Sequence, residues 1–306
     1  MSEKLLVILG PTASGKTRVA VELAAQLGGA ILSADSRQVY RGMDIGTGKD
    51  LADYQFEGKE VPYHLIDVVP AGERYNVYRY LEDFYKAYHQ IKMCGAVPVL
   101  CGGSGMYIEA VCKGFDMPKV PENTELRNRC EKLSHEELIA CLASYGPLHN
   151  TTDTENRKRL IRAIEIAVWK QAHPFTTTDY PKLNPVVVGL HLPVEERRAR
   201  IDHRLEHRLQ NGLVEEAERL MKEGLTTEDM IYYGLEYKYL ALYLTGALSF
   251  EEMKQQLRIA IHQFAKRQMT WFRGMERRGI PIRWIDATQT YTDIVKSIME
   301  NDTVFY

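Results

Sequence analysis

The chain has 306 residues, of which 45% are hydrophobic and 26% are charged, and its formal net charge is −2. This length and composition are typical of a folded protein with more than one domain, and they exclude a disordered or fibrous chain. No run approaches the roughly 18 apolar residues of a membrane-spanning helix, and the short N-terminal apolar run does not fit a signal peptide, so we expect a soluble cytoplasmic protein.

The first predicted element is an apolar strand over residues 5–9, which is followed by a glycine-rich loop and a helical pattern. In such a setting, backbone N–H groups and the helix N-terminus bind phosphate oxygens. Lys16 would reach the outer phosphates, and the Thr17 hydroxyl would hold Mg²⁺. The loop predicts a polyphosphate site but does not identify the polyphosphate or the reaction. It fits the pattern G-x-x-x-x-G-K-[ST] at every position: Gly10, Pro11, Thr12, Ala13, Ser14, Gly15, Lys16, Thr17.

Three further apolar segments, 30–33, 64–69 and 97–101, alternate with helical patterns such as 78–93. This alternation predicts a parallel sheet that helices cover on both faces. Ligands of such sheets bind beyond the carboxyl ends of the strands. The candidate residues at those ends are Asp35, Ser36, Arg37 and Gln38 after the second strand, Asp67 late in the third, and Gly102, Gly103, Ser104 and Gly105 after the fourth.

The acidic candidates have different predicted roles. Asp35 would point across the crevice toward the phosphates, where a carboxylate can act as a general base, although Asp followed by Ser also suits a helix cap. The fourth strand lacks the acidic metal ligand that is usual in nucleotide hydrolases, and Asp67 could serve instead. Ser104, in a second glycine-rich turn, would face the reacting group.

The pattern changes after residue 115. Pro118 and Pro121 mark a linker, residues 122–170 read as helices without strands, and a Thr- and Pro-rich break precedes a strand over 186–190. The chain is then helical to about residue 279 and ends in a short strand over 281–285. We therefore predict an α/β fold with a P-loop NTPase-like core, residues 1–115 and 186–306, and an inserted all-helical domain, residues 116–185.

Positive charge is concentrated in two stretches. Six Lys and Arg residues stand against one acid, Glu276, between Arg258 and Arg278, and a second run is Arg157-Lys158-Arg159 with Arg162. Such stretches can bind a polyanion, and the alternative is two solvated helix faces. The five cysteines show no C-x-x-C pair, so we expect neither disulfides nor structural zinc.

Six blocks taken in chain order resemble the tRNA dimethylallyltransferase (isopentenyltransferase) family. They are residues 10–17, 35–49, 64–67, 102–107, 159–165 and 265–273. The resemblance implies transfer of a dimethylallyl group from dimethylallyl diphosphate to N6 of the adenosine next to the anticodon of tRNA, with Mg²⁺ present and diphosphate released. We expect a monomer. Where the family usually has Gly-Tyr-Lys/Arg-Glu/Gln, this chain has Gly234-Leu235-Glu236-Tyr237-Lys238.

The resemblance also implies roles for individual residues. Lys16, Arg204, and Mg²⁺ on Thr17 (with Asp35 as a second ligand) would neutralise the leaving diphosphate, and Asp35 would be the general base. Ser104 stands where the family usually has Thr and keeps the hydroxyl. Trp271 and Phe272 could stack on a base or pack in the core. Contacts with the adenine or with tRNA are implied for Asp35, Ser36, Arg37, Gln38, Ser104, Lys158, Arg159, Leu160, Ile161, Arg162, Arg267, Gln268 and Arg273.

Three alternatives stay open. A small-molecule kinase would use the same phosphate loop, with the insertion as a lid, and an isopentenyltransferase acting on free adenine nucleotides would use the same chemistry without RNA. A non-catalytic RNA-binding relative would keep only the fold. The basic stretches favour RNA over the first two, and intact Lys16, Thr17, Asp35 and Ser104 argue against the third.

Overall fold

The computed structural model describes residues 3–117, 119–146, 155–173 and 180–301. The chain divides into two compact units, residues 1–114 with 181–306, and residues 115–180. Pro118 of the predicted linker and residues 174–179 of the predicted break lie outside the described residues.

The larger unit is built on a parallel sheet with strand order β10-β9-β1-β8-β2-β6. Two short pairs, β3 with β7 and β4 with β5, lie outside it. In chain order the strands are β1 (Glu3–Leu9), β2 (Gly29–Ala34), β3 (Tyr40–Arg41), β4 (Gln55–Phe56), β5 (Lys59–Glu60), β6 (Tyr63–His64), β7 (Val69–Pro70), β8 (Val97–Gly102), β9 (Leu183–His191) and β10 (Arg283–Asp286).

Helices flank this sheet and make up the regular structure of the smaller unit. None of the described helices combines the length and apolar character that crossing a bilayer requires. A short 3₁₀ turn covers Leu51–Asp53. In chain order the helices are α1 (Lys16–Gln26), α2 (Val77–Met93), α3 (Gly105–Lys113), α4 (Thr124–Cys130), α5 (His135–Ala143), α6 (Arg157–Ala172), α7 (Val194–Gln210), α8 (Leu213–Lys222), α9 (Thr227–Tyr233), α10 (Leu235–Leu244), α11 (Phe250–Arg277) and α12 (Tyr291–Asn301).

The predicted α/β class is confirmed. The burial of the strands explains why the sequence pattern revealed them. The side chains of Leu5 through Leu9 are 0% exposed, because helices cover both faces of a parallel sheet. Such strands appear in sequence as unbroken apolar runs. The strand expected over 186–190 is longer than predicted and begins at Leu183, since it pairs with β1 from Glu3 onward.

The predicted strand over 64–69 is wrong. Only Tyr63 and His64 pair with β2. Leu65 and Asp67 have positive φ values of 68° and 55°, which a strand does not allow. Asp67 lies outside the sheet, where its carboxylate forms an ion pair with the buried Lys49 ammonium.

The register of the central strands brings three chain segments to one edge. Gly102 at the end of β8 pairs with Leu9 on one side and with Ala34 on the other. A Cβ at residue 102 would lie 2.2 Å from the carbonyl oxygen of Ala34, so only glycine fits this position. The segments that follow β1, β2 and β8 therefore emerge side by side.

The smaller unit has its own apolar core on α4, α5 and α6. Leu160, Ile161 and Ile164 of α6 pack there with Cys130 and Leu138, all of them at most 4% exposed. The resemblance assigned Leu160 and Ile161 to tRNA contacts. That prediction is wrong, because both side chains are buried in this core.

Beside this core lies a buried carboxylate. The Glu165 side chain is 1% exposed and accepts hydrogen bonds from the Asn123 amide at 2.6 Å and from the Arg127 guanidinium, with Nε and Nη2 both at 3.0 Å. Arg162 also donates to it. Burial opposes ionisation, but the hydrogen bonds from Arg127, Asn123 and Arg162 outweigh it and lower the pKa of Glu165 to about 2.

Replacing Glu165 with Gln should destabilise the smaller unit by about 3 kcal/mol at neutral pH, because two arginines lose their buried partner. The folded pKa is below the ordinary value of 4.5, so the stabilisation is complete above that pH and declines as the pH falls toward 2. Hydrogen exchange of α6 peptides at pH 7 measures the effect. The exposed Glu125, replaced with Gln, should change stability by only about a few tenths of a kcal/mol; equal effects for the two variants would contradict the assignment.

Candidate active site

A cavity of about 900 Å³ opens at the carboxyl ends of β1, β2 and β8. It contains most of the residues predicted from the larger unit, whereas Gly10, Pro11 and Arg273 are not in its lining. The predicted residues that line it are Thr12, Ala13, Ser14, Gly15, Lys16, Thr17, Asp35, Ser36, Arg37, Gln38, Ser104, Arg204, Arg267 and Gln268.

The phosphate loop has the backbone conformation that an anion site needs. Ala13 and Gly15 have φ values of 63° and 82°, and α1 begins directly after Gly15. Successive residues in such conformations turn N–H groups toward one concavity. The buried hydroxyl of Ser14 has no hydrogen-bond partner among the described residues, which is typical of a polar group that awaits a ligand.

Two cations face this loop. The Lys16 ammonium lies 3.4 Å from the Pro11 carbonyl oxygen, and the Arg204 guanidinium from α7 donates to the Thr12 hydroxyl. Burial lowers the pKa of Lys16, with Cys101 and Asp35 opposing the shift and Arg204 adding to it. Burial also lowers the pKa of Arg204 to about 10, so it is still a cation at neutral pH.

The ends of β2 and β8 are joined by hydrogen bonds. The Ser104 amide donates to the Ala34 carbonyl at 3.0 Å, and the Ser104 hydroxyl accepts from the Ser36 amide at 2.8 Å. One oxygen of Asp35 accepts from the Arg37 amide at 2.9 Å. Asp35 is thus held at the cavity wall by a local turn, while Ser104 positions the segment that carries it.

Burial raises the pKa of the Cys101 thiol to about 12, so this cavity cysteine is neutral and not a nucleophile. The site thus combines a polyanion cradle with two half-buried cations and the Asp35 carboxylate. That arrangement can hold a diphosphate and accept a proton from an incoming amine.

Comparison with known proteins agrees with this geometry. The family model described as IPP transferase matches residues 38–275, and the model described as isopentenyl transferase matches residues 3–65. This chain belongs to the IPP transferase family. The tRNA dimethylallyltransferase 1 of Porphyromonas gingivalis is 54% identical over 97% of this chain and 98% of its own length. The protein of the same name from Parabacteroides distasonis is 56% identical over 94% of each chain.

Solved structures show the same fold. The full-length tRNA isopentenylpyrophosphate transferase from Bacillus halodurans aligns with a TM-score of 0.72 at 32% identity, covering 98% of this chain and 95% of that one. A eukaryotic dimethylallyltransferase acting on tRNA gives 0.79 at 22% identity, covering 99% and 80% respectively, and supports the fold alone.

Two predicted contact residues, Gln268 and Gln38, form hydrogen bonds inside the protein through their side-chain amides. Gln268 is 7% exposed; it accepts from the Thr12 amide at 2.8 Å and donates to the Gly103 carbonyl at 3.0 Å. Gln38 is 9% exposed; it accepts from the Ser33 hydroxyl at 3.0 Å and donates to the Gly48 carbonyl at 2.9 Å. Both glutamines join segments of the cavity wall, and their contact with RNA or adenine stays a prediction.

Asp67, predicted as an alternative metal ligand, is not in the cavity lining. It pairs with the Lys49 ammonium, which also binds the Asp44 carboxylate at 2.6 Å and the Tyr40 carbonyl at 2.7 Å. The Lys49 side chain is 1% exposed. Asp67 therefore neutralises a buried lysine, and its carboxylate is committed to the fold.

The two candidate stacking residues divide between surface and core. Trp271 is 38% exposed and lines the cavity, where its ring lies so close to Gly105 that a Cβ there would be 2.3 Å from the indole. Phe272 is 0% exposed and belongs to the core. Of these two residues, Trp271 is the one whose ring is accessible to a ligand.

In the smaller unit, the side chains of Lys158 and Arg159 are exposed and have no hydrogen bond or ion pair within the described part of the chain. Arg162 instead donates to Glu165 and to the Val120 carbonyl at 2.8 Å. The predicted basic face is therefore reduced to two unpaired cations, with Arg162 in a structural role.

Sequence reasoning missed several charged residues of the cavity, among them Arg200, Arg208 and Glu236. The two arginines lie four residues on either side of Arg204 on α7, a spacing that places all three on one helix face and could have revealed them. Burial raises the pKa of Glu236, against the opposing effect of Arg208. Glu236 lies in the segment that departs from the family pattern, so no motif pointed to it.

The lowered pKa of Lys16 predicts that diphosphate binding weakens as the pH rises, starting below the ordinary lysine value of 10.5. Loss of the ammonium charge removes attraction for the anion. Calorimetric titration with inorganic diphosphate between about pH 7 and 9 measures the effect, at pH values below the pKa of about 10 at which Arg204 titrates. In Lys16→Arg, the affinity for diphosphate should depend less on pH. Ionisation of diphosphate itself affects both proteins equally. If the affinity of the two proteins changes with pH in parallel, Lys16 is not the titrating group.

Proposed function

We propose that this protein transfers a dimethylallyl group from dimethylallyl diphosphate to N6 of adenosine 37 of tRNA and releases diphosphate. The observation that carries the proposal is the phosphate loop and the Asp35 carboxylate lining one cavity, in a chain that spans nearly the full length of relatives named tRNA dimethylallyltransferase.

The reaction is a substitution at the first carbon of the dimethylallyl group. The N6 lone pair forms the new C–N bond, the C–O bond to diphosphate breaks, and its electron pair leaves with the diphosphate. Asp35 accepts the N6 proton, while Lys16, Arg204 and the loop amides stabilise the negative charge that develops on the leaving group. Their fixed positions mean that little reorganisation accompanies the charge movement.

A magnesium ion fits this donor set. Mg²⁺ is commonly held by one or two protein oxygens together with phosphate oxygens and water, so it does not require a cluster of carboxylates. The Thr17 hydroxyl and the Asp35 carboxylate line the same cavity and would supply such oxygens. When bound, Mg²⁺ would add positive charge beside the diphosphate.

Each of the two units carries exposed groups that support recognition of RNA. Arg267 and Trp271 line the cavity of the larger unit, where a cation can bind phosphate and a ring can stack on a base. Lys158 and Arg159 offer unpaired positive charge in the smaller unit. The target adenosine would have to leave its stack to enter the cavity.

The deciding experiment supplies Mg²⁺, dimethylallyl diphosphate and either an anticodon stem-loop or AMP, followed by mass spectrometry of the nucleosides. We expect prenylated adenosine in the stem-loop. Asp35→Asn, which keeps the hydrogen bond from the Arg37 amide, should lower turnover by about 100-fold or more while leaving diphosphate affinity nearly unchanged. Transfer to AMP with none to RNA would favour the free-nucleotide enzyme, and phosphoryl transfer from ATP would favour a kinase.

Lys158→Gln and Arg159→Gln should each weaken RNA binding and lower the log–log salt slope by about 0.7 if each cation contacts one phosphate of a single-stranded segment. Fluorescence anisotropy with a labelled stem-loop at several salt concentrations measures the slope. Lys170→Gln is the matched control, an exposed lysine at the other end of the same helix. An unchanged slope in the first two variants would place the RNA elsewhere.

A further inference from the structure

The carboxylate of Glu216 on α8 is surrounded by four hydrogen-bond donors although it is not in the lining of the cavity described above. Its Oε2 accepts from the amides of Asp44 and Ile45 at 2.8 and 2.9 Å. Its Oε1 accepts from the Gly46 amide at 2.9 Å and from the Tyr237 hydroxyl at 2.7 Å. The side chain is only 7% exposed, so these donors replace water as its solvation.

The donors come from two different parts of the cavity wall. Asp44, Ile45 and Gly46 lead into Thr47 and Gly48, and the cavity lining includes residues 46–48. Tyr237 follows Leu235 and Glu236 at the start of α10, which line the cavity as well. A single carboxylate therefore fixes the distance between these two segments.

Packing makes this arrangement specific. A Cβ at Gly46 would lie 2.5 Å from the Tyr237 ring, so the loop backbone rests directly on the ring whose hydroxyl binds Glu216. Any displacement of the carboxylate would move both the loop and the ring.

The loop also carries contacts toward the reacting groups. The Gly48 carbonyl accepts from Gln38, three residues after Asp35, at 2.9 Å. Asp50 accepts from the cavity residue Arg208 at 3.1 Å. The position of residues 44–50 thus determines where Gln38 and Arg208 lie, while the phosphate loop depends on separate contacts with Gln268 and Arg204.

We propose that Glu216 is a positioning residue, which holds the loop 44–50 and the start of α10 in the arrangement that the acceptor adenosine requires. The kinetic effect that we expect of Glu216 rests on the proposed transfer to adenosine. The diphosphate half of the cavity is predicted to be independent of it.

The test uses the full-length protein with three substitutions. Glu216→Gln places an amide N–H₂ group among donors and leaves at least one of them unsatisfied. Tyr237→Phe removes one donor and keeps the ring. The control is Glu215→Gln, an exposed glutamate next to Glu216 on the same helix.

Hydrogen exchange gives a readout that needs no activity. The amides of residues 44–46 should exchange about tenfold faster or more in Glu216→Gln, in proportion to the lost hydrogen bonds, and to a smaller extent in Tyr237→Phe. The control should match the unmodified protein. Unchanged exchange in Glu216→Gln would overturn the proposal whether or not the protein modifies RNA.

Kinetics separates positioning from general loss of structure. For Glu216→Gln we expect kcat/KM for the stem-loop to fall by about tenfold or more, with the Kd for inorganic diphosphate within about twofold of the unmodified protein. Equal losses in both quantities would mean a merely structural role and would overturn the proposal. If the unmodified protein fails to prenylate RNA but the exchange result holds, the proposed function fails and the assignment of Glu216 as the residue that fixes the loop does not.

Discussion

The site depends on one row of the sheet, in which Gly102 pairs with Leu9 on one side and with Ala34 on the other. This register places the ends of three neighbouring strands at one level, and each strand contributes a different group just beyond it. The first supplies the phosphate loop, the second supplies Asp35, and the third supplies Ser104, whose hydroxyl binds the Ser36 amide. A slip of one residue would turn every side chain of a strand to the opposite face, so the alignment is as essential as the groups themselves.

The electrostatics of the cavity follow from two half-buried cations at the phosphate loop, Lys16 and Arg204. Lys16 and Arg204 lie in surroundings that lower both pKa values, and no carboxylate forms a direct ion pair with either among the described residues. Cations in this condition gain more from a bound polyanion than exposed ones do, because water screens the interaction less. Asp35 and Glu236 supply negative potential at a greater distance, which keeps the cavity from being uniformly positive.

Sequence patterns predicted the features that interactions between neighbouring residues control. They missed the features that depend on contacts between residues far apart in the chain. The phosphate loop, the buried strands and the helical insertion were readable, because their signals lie within about ten neighbouring residues. The strand over 64–69 was not, because residues 65–67 turn away from the sheet, where Asp67 forms an ion pair with the distant Lys49. Gln38 and Gln268 looked like ligand contacts, yet their amides are engaged by Gly48 and by Thr12 with Gly103, partners that only the folded chain brings together.

The placement of β9 has a consequence for synthesis on the ribosome. β1 emerges first, yet one of its two neighbours in the sheet is β9, whose Gly189 pairs with Leu9 only after the whole insertion has been translated. Until then one edge of β1, whose residues 5–9 are fully buried in the folded protein, exposes unpaired backbone groups, the kind of surface that promotes aggregation. In this chain that edge of β1 stays open until residues 10–190 have been translated, and α1, the element that follows β1, is the first one available to cover the strand.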